Sequence, residues 1–149
     1  MSVRHVQGRC HCGQIRLSAE VDTDKVMACH CSDCQVFSGA PYRAVVMVPA
    51  DQLTIEGQPR EYVKIAASGN KRFQAFCPNC GTQLYAADAD KKIYNIRTGC
   101  LDALADLVPK KHIFVKSSVP WVHDIETVAW FEAGANSAPC DPATGRPID

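Results

Sequence analysis

Three thiols fall within six residues of this chain, at Cys29, Cys31 and Cys34. Side chains alternate sides along an extended segment, so Cys29 and Cys31 lie on one face, and the turn that follows can bring Cys34 beside them. Three sulfurs then converge on one point, with no fourth thiol nearby. Zinc held by three protein ligands and an open fourth position is typical of reactive sites rather than closed structural ones. The spacing therefore predicts a reactive metal site.

Four further cysteines form two pairs that suit a closed metal site. Cys10 and Cys12 precede Gly13, and Cys77 and Cys80 belong to a Cys-Pro-Asn-Cys-Gly turn that looks like a zinc knuckle. A closed structural zinc needs four sulfurs, so the economical partition joins the two pairs. Such a site would pin an N-terminal strand to a distant hairpin and couple folding to metal binding.

Nine cysteines in one chain require an explanation, and metal is a better one than disulfides. The segment Met1–Gly8 lacks an apolar signal core, and the apolar run Ala44–Val48 is too short to cross a bilayer. These features predict a cytoplasmic protein, in which disulfides are rare. A disulfide framework would also leave one thiol of the nine unpaired. Two zinc ions per chain are therefore expected, with redox-active thiols as the alternative.

Two cysteines stand apart from the clusters. Cys100 lies beside Gly99 and is interpreted as a packing residue, and Cys140 is expected to be free and exposed. His11 and His30 each lie between two cysteines, where they could be ligands. The period-two geometry favours spacers that point away from the metal.

Short alternating segments with no helical pattern of ten residues or more predict a mainly β protein. A single helical turn is expected over Asp102–Leu107, ended by Pro109. One domain is predicted over residues 1–135, followed by a polar, proline-containing tail at residues 136–149. The predicted strands are Gln14–Glu20, Tyr42–Val48, Leu53–Gly57, Glu61–Ala66, Lys71–Phe76, Thr82–Tyr85, Lys92–Thr98 and His112–Lys116.

The charge pattern argues against nucleic acid and membrane partners. Lysine and arginine together number 16, aspartate and glutamate also 16, and no long run of either sign occurs. The oligomeric state stays open, a homodimer included.

A few charged residues could contact a substrate. Asp33, next to Cys34, could position a water molecule or an incoming thiol, although acidic residues in exposed turns are ordinary. Five basic side chains could bind the carboxylates of a glutathione-like substrate, although a solvated surface role is the better interpretation for any single one. These are Arg43, Arg72, Arg97, Lys110 and Lys111.

The ordered set of motifs resembles the glutathione-dependent formaldehyde-activating enzyme family over roughly residues 5 to 125. This resemblance implies an Mss4-like fold of small coiled antiparallel β-sheets pinned by zinc. It also implies condensation of formaldehyde with glutathione to S-(hydroxymethyl)glutathione. The motifs are Gly8-x-Cys10-x-Cys12-Gly13, Cys29-x-Cys31-x-x-Cys34 before Ser38-Gly39-Ala40, Phe76-Cys77-x-x-Cys80-Gly81-Thr82, Gly99-x-Leu101-Asp102, and Pro109-x-x-His112-Ile113 with Trp121.

Carried over to this chain, the resemblance implies one structural and one catalytic zinc. Glutathione, the co-substrate, would take the open position of the catalytic ion, where its thiol would attack formaldehyde. The structural ligands would be Cys10, Cys12, Cys77 and Cys80, and the catalytic ligands Cys29, Cys31 and Cys34.

The predicted function is a zinc-dependent carbon–sulfur lyase or adduct-forming enzyme. It would resemble S-(hydroxymethyl)glutathione synthase and act on a small thiol and a small aldehyde. The signature consists mostly of metal ligands and turns, so it leaves the identity of both substrates open. Two alternatives remain: a zinc-stabilised binding module without catalysis, and a thiol redox or metal sensor.

Overall fold

The computed structural model describes residues 2–148, which form one α-helix, several short 3₁₀ turns and twelve β-strands. The helix is α1 (Ser32–Ser38). The strands are β1 (Val3–Arg9), β2 (Arg16–Asp22), β3 (Val26–Cys29), β4 (Arg43–Pro49), β5 (Leu53–Glu56), β6 (Arg60–Ile65), β7 (Lys71–Phe76), β8 (Gln83–Asp88), β9 (Ile93–Arg97), β10 (His112–Ile113), β11 (Trp130–Phe131) and β12 (Pro139–Cys140).

The strands of residues 2–148 form three sheets. The largest has seven strands in the order β10-β3-β4-β9-β8-β7-β6, and a second has the order β1-β2-β5. Strands β11 and β12 pair with each other. Within this described part, every strand pair is antiparallel except β10 with β3, which is parallel. The mainly β prediction is confirmed.

The chain divides into two compact units, residues 1–117 and residues 118–149. The first contains α1 and strands β1 to β10, and the second contains β11 and β12. The boundary predicted between residues 135 and 136 stays a prediction.

Every strand predicted from the sequence overlaps an observed one, although β10 is shorter than expected. A 3₁₀ turn at Leu104–Asp106 confirms the helical turn expected near Pro109. The patterns missed the helix α1 and the strands β1, β3, β11 and β12. None of the helices among the described residues is long and apolar enough to cross a membrane.

One face of the seven-stranded sheet forms the apolar core of the first unit. Val46, Val48 and Ile96 are fully buried there and share a cluster with Leu17 and other residues of the β1-β2-β5 sheet. Valine and isoleucine favour such strands because branched side chains pack well on a pleated surface. Burying each of these side chains contributes about 1.5–3 kcal/mol. The core therefore joins the two sheets of this unit.

The opposite face of the same sheet carries polar side chains, and α1 covers it. Arg43 is the cross-strand partner of Cys29, so both side chains lie on this face. Phe37 of α1 lies over it, with its ring 6.1 Å from that of Tyr62 and 5.6 Å from the Arg43 guanidinium carbon. Polar side chains on this face are thereby removed from water.

Close packing, and not backbone conformation, is what requires a glycine at position 8. A Cβ atom there would lie 2.6 Å from the carbonyl oxygen of Cys100 and 2.8 Å from Cδ2 of Leu101. Gly8 also bridges to Leu101, which connects β1 to the segment after β9. Only a residue without a side chain fits this contact.

We expect Gly8→Ala to lower the free energy of unfolding by about 1–3 kcal/mol, because the added methyl group overlaps a backbone carbonyl that cannot rotate away. Urea unfolding followed by circular dichroism measures the change. Gly99→Ala is the matched control, since a Cβ at Gly99 meets nothing within 4 Å. Equal midpoints for Gly8→Ala and the wild type would contradict this account of the contact.

Candidate metal centres

The structure brings together four cysteines from two distant parts of the chain. The Sγ atoms of Cys10, Cys12, Cys77 and Cys80 all lie within 4.8 Å of one another. Cys10 and Cys77 are buried, whereas Cys12 and Cys80 are exposed. The partition predicted from spacing is therefore present as a geometric group.

Two similar turns build this four-cysteine group. The amide of Gly13 donates to the carbonyl of Cys10 (3.0 Å), and the amide of Gly81 donates to the carbonyl of Cys77 (2.9 Å). Both glycines have φ of 78°, a left-handed conformation that a side chain would strain. The amide of Ile15 also donates to Cys10 Sγ at 3.2 Å. Each turn thus presents its sulfurs on a backbone already bent around them.

Thr82 joins the two turns and influences the thiols. Its Oγ1 accepts from the amide of His11 (2.9 Å) and lies 3.2 Å from Cys80 Sγ. Hydrogen bonds from the Thr82 side chain and then from its amide lower the pKa of Cys80 to about 5. Burial acts to raise the pKa of Cys10, but the Ile15 amide and neighbouring thiols outweigh it and the net shift is downward. The lowered pKa values of Cys80 and Cys10 therefore favour the thiolate form, which is the form that binds metals.

The second group contains three cysteines, all from one short segment. The Sγ atoms of Cys29, Cys31 and Cys34 lie within 4.8 Å of one another, and among residues 2–148 no fourth cysteine, histidine or carboxylate belongs to the group. Cys29 ends β3, Cys31 precedes α1, and Cys34 lies in its first turn. The predicted convergence of three thiols is thus observed.

Helix α1 exists because its ends are capped. Cys31 occupies the N-cap position, and its Sγ accepts from the amide of Cys34 at 3.3 Å, as a serine or aspartate side chain commonly does. At the other end Gly39 adopts a left-handed conformation (φ 63°), and its amide donates to the carbonyl of Gln35. The sequence signal for this helix is Ser32-Asp33 at its start and Gly39 at its end. With seven residues, the helix is too short to show an apolar helical period.

The thiols of the three-cysteine group influence one another. A hydrogen bond with the Cys34 side chain lowers the pKa of Cys29. The same bond, together with burial, raises the pKa of Cys34 well above its ordinary value. Cys34 therefore holds its proton and donates it towards Cys29, and binding of a metal would release that proton.

His30 does not belong to either sulfur group. It is 2% exposed, and its Nε2 lies 2.8 Å from Nδ1 of His112, which is on the neighbouring strand β10. Gln35 holds this region together, because its Nε2 donates to the carbonyls of His30 and Ser117, each at 3.0 Å. This agrees with the interpretation of His30 as a spacer. His11, likewise, belongs to neither group.

Several other sequence-based expectations have clear outcomes. Asp33 forms an ion pair with Lys64 of β6, which joins α1 to the sheet, and a role for Asp33 in positioning a substrate stays a prediction. Cys100 is half-buried and its Sγ donates to the carbonyl of Arg97, as expected for a packing thiol.

Cys140 is free but only 6% exposed, so the expectation of an exposed thiol was wrong. It is one of the two residues of β12, whose pairing with β11 the polar composition of this stretch concealed.

Two of the basic residues singled out in the sequence are buried. Arg43 is 9% exposed and Arg97 is 5% exposed, so a solvated surface role is wrong for both. The alternation in β9 places Arg97 opposite Ile96, on the face that solvent would normally reach. Helix α1 lies on that face, which a strand pattern cannot reveal.

Both sulfur groups fit zinc. Four sulfurs at about 2.3 Å from a tetrahedral zinc lie about 3.8 Å from one another. The Cys10–Cys12 and Cys12–Cys77 sulfur pairs are separated by 3.6 Å and 3.8 Å. The three-sulfur group offers the same soft donors with one ligand fewer. The two clusters could therefore hold one metal ion each.

The chain is similar to known proteins in both sequence and fold. A protein of Schizosaccharomyces pombe described as an uncharacterized lyase is 30% identical over 86 residues, which is 58% of this chain. The matched segment spans 60% of that relative's own length. A crystal structure of a Rhodobacter sphaeroides protein superimposes with a TM-score of 0.55 and 18% identity, covering 71% of this chain and 98% of the other. The second likeness shows a shared fold.

The family described as glutathione-dependent formaldehyde-activating enzyme matches residues 5–117. That stretch contains both sulfur groups and coincides closely with the first compact unit. It also covers more than half of the 149 residues. This chain belongs to the glutathione-dependent formaldehyde-activating enzyme family.

Proposed function

We propose that this protein is a zinc-dependent carbon–sulfur lyase or adduct-forming enzyme that joins a thiol, such as glutathione, to formaldehyde or another small aldehyde. Family membership and a relative described as a lyase support the reaction class. The observation that carries the proposal is the three-sulfur group, to which no fourth protein ligand belongs among residues 2–148. A tetrahedral ion there would keep one position for a substrate.

The surroundings of the three cysteines favour access from one side. Cys34 is buried and Cys29 is 9% exposed, whereas Cys31 is partly open to solvent. The two buried ligands fix the position of the ion, because one ends a strand of the large sheet and the other lies in the capped helix. An incoming thiol would approach beside Cys31.

A zinc ion held by Cys29, Cys31 and Cys34 would lower the pKa of a coordinated thiol and would act as a Lewis acid towards a carbonyl oxygen. In the reaction, the thiol sulfur forms a bond to the aldehyde carbon, the carbonyl π bond breaks, and the proton lost from the thiol ends on the oxygen. With the ion bound, the three cysteines would fix the position at which the thiol sulfur is held, which would replace a bimolecular encounter by an oriented one. The buried sheet behind them excludes water from that side.

The four-cysteine group has a structural role in this proposal. All its positions are filled by protein sulfurs, so no site is left for a substrate. It joins the turn at residues 10–13 to the hairpin of β7 and β8. Its metal would therefore stabilise the fold that presents the other group.

A measurement of zinc content distinguishes the three-cysteine group from the four-cysteine group. Wild-type protein purified without added zinc is expected to contain about two zinc ions per chain, and Cys31→Ser about one, because two thiolates hold zinc far less tightly than three. Glutathione should bind to the wild type and not to Cys31→Ser in calorimetric titration. Cys140→Ser, outside both groups, is the matched control and should behave as the wild type.

One zinc ion in both the wild type and Cys31→Ser, with no heat from glutathione, would contradict the enzymatic proposal. That result would favour a zinc-pinned β module whose function is binding. Thiol counts that change reversibly with oxidant at Cys29, Cys31 and Cys34 alone would favour the sensor instead.

The free energy of unfolding should depend mainly on the four-cysteine group. We expect Cys77→Ser to lower the free energy of unfolding by about 4 kcal/mol or more, since it removes a ligand that ties two distant segments together. Cys31→Ser should lower it by less than about 2 kcal/mol, because its cluster lies within six residues of chain. Urea unfolding with and without a zinc chelator measures both. A larger loss of unfolding free energy in Cys31→Ser than in Cys77→Ser would contradict the structural role of the four-cysteine group.

A further inference from the structure

Two buried arginines lie on the face of the large sheet that also carries the three-cysteine group. Arg43 is directly opposite Cys29 across the β3–β4 pair. Arg97 is opposite Val45, two residues further along β4 on the same face. Their exposed fractions are 9% and 5%. The two positive charges are therefore adjacent to the proposed reaction site and shielded from water.

The guanidinium groups of Arg43 and Arg97 have more N–H donors than there are hydrogen-bond acceptors within reach. Both donate to the same oxygen, Oε1 of Gln74, from Arg43 Nη1 at 3.3 Å and from Arg97 Nη2 at 2.7 Å. Arg97 Nη1 also donates to the carbonyl of Asn95 at 3.1 Å. The Nε atom of each arginine is buried without a hydrogen-bond partner. Buried donors in native proteins nearly always have an acceptor, so one is missing here.

Nearby acids do not supply that acceptor. Lys64 pairs with Asp33 and Arg72 pairs with Asp88, so the carboxylates on this side of the sheet are engaged elsewhere. Within residues 2–148 neither Arg43 nor Arg97 forms an ion pair with a carboxylate. Burial, followed by the charge of Arg43, lowers the pKa of Arg97 to about 9, in keeping with an uncompensated buried cation.

Thiolates of the metal cluster balance part of this charge but leave the donors unpaired. Coulomb attraction acts over several ångströms, whereas a hydrogen bond requires an acceptor at about 3 Å. The unpartnered Nε atoms therefore need an oxygen that comes close to them. A carboxylate suits this role, because its two oxygens match the planar fork of a guanidinium.

A cavity of about 550 Å³ gives a ligand access to both arginines. Its lining includes Ser38 and Tyr42 on the side of the three-cysteine group, and Gly81 and Gln83 on the side of the four-cysteine group. The volume lies within the range of small-molecule sites. Gln83 is partly buried and its side-chain oxygen has no hydrogen-bond partner, and a half-turn of the carboxamide would offer its NH₂ as a further donor.

We propose that Arg43 and Arg97 form a receptor for a carboxylate of the thiol substrate, so that the enzyme selects acidic thiols over neutral ones. This inference deepens the proposed function and relies on it for the position of the sulfur. The cysteines hold the thiol end of the substrate, and the arginines hold its acid end. Gln74, which touches both guanidiniums, is a positioning residue.

The first test needs no variant. Propionate, which has no thiol, should bind to the wild-type zinc protein in calorimetric titration at least about tenfold more tightly than propionamide, because only the anion can pair with buried guanidiniums. Equal affinities would overturn the receptor. Tighter binding of inorganic phosphate than of propionate would overturn the assignment to a carboxylate.

Variants assign the effect to the arginine pair. Arg97→Gln should abolish the preference for propionate over propionamide, and Arg43→Gln should do the same independently, so failure of one variant to fold leaves the other. Arg60→Gln is the matched control, since Arg60 is exposed on β6. Retention of the preference in either folded cavity variant would overturn the proposal.

A second pair of probes separates this inference from the proposed function. 3-Mercaptopropionate carries both a thiol and a carboxylate, whereas 2-mercaptoethanol carries a thiol only. The acidic thiol should bind at least about tenfold more tightly to the wild type, with the difference lost in Arg97→Gln. In Cys31→Ser, 2-mercaptoethanol should no longer bind, and 3-mercaptopropionate should bind only as tightly as propionate. Equal affinity of the two thiols would overturn the receptor alone. Binding of propionate with no binding of 2-mercaptoethanol would overturn the proposed function alone.

Discussion

The fold depends on the contact between two turns that are far apart in the sequence. Cys12 and Cys77 are 65 residues apart, yet their sulfurs lie 3.8 Å from each other. Closing so long a loop costs chain entropy, which the sheets must otherwise recover through burial alone. Four sulfurs on one ion, with Thr82 hydrogen-bonded to the amide of His11, would stabilise that closure directly. The small sheet of β1, β2 and β5 is fixed to the large sheet at this point.

The two faces of the large sheet differ in the side chains that they carry. Valine and isoleucine side chains on one face build the core with the small sheet. The other face carries Arg43 and Arg97, which both donate to Gln74, and Phe37 of α1 lies over the Arg43 guanidinium. A helix of only seven residues is enough for this cover, since its caps and the Asp33–Lys64 ion pair hold it in place. The three-cysteine group and the buried charges are thereby brought to the same side.

The local electrostatics of that side differ from those of the chain as a whole. The formal net charge is zero, which suggests no charged partner. Locally, however, two guanidiniums are buried next to three thiols, where the low dielectric strengthens every interaction between charges. A neutral protein can therefore present a strongly polarised site to a small anionic substrate. This is a property of the arrangement and not of the composition.

The sequence by itself determined the mainly β class, most of the strands and the division of seven cysteines into groups of four and three. Those features follow from local rules: alternation of side chains in strands, turns at glycines, and the four sulfurs that a closed zinc requires. The tertiary structure decided the rest. Whether Arg43 faces water or protein depends on α1 folding over the sheet. The partner of His30 depends on β10 pairing with β3, because that pairing brings in His112, which is 82 residues away in the sequence. Contacts of this kind are set by packing between distant segments, which no local pattern of residues encodes.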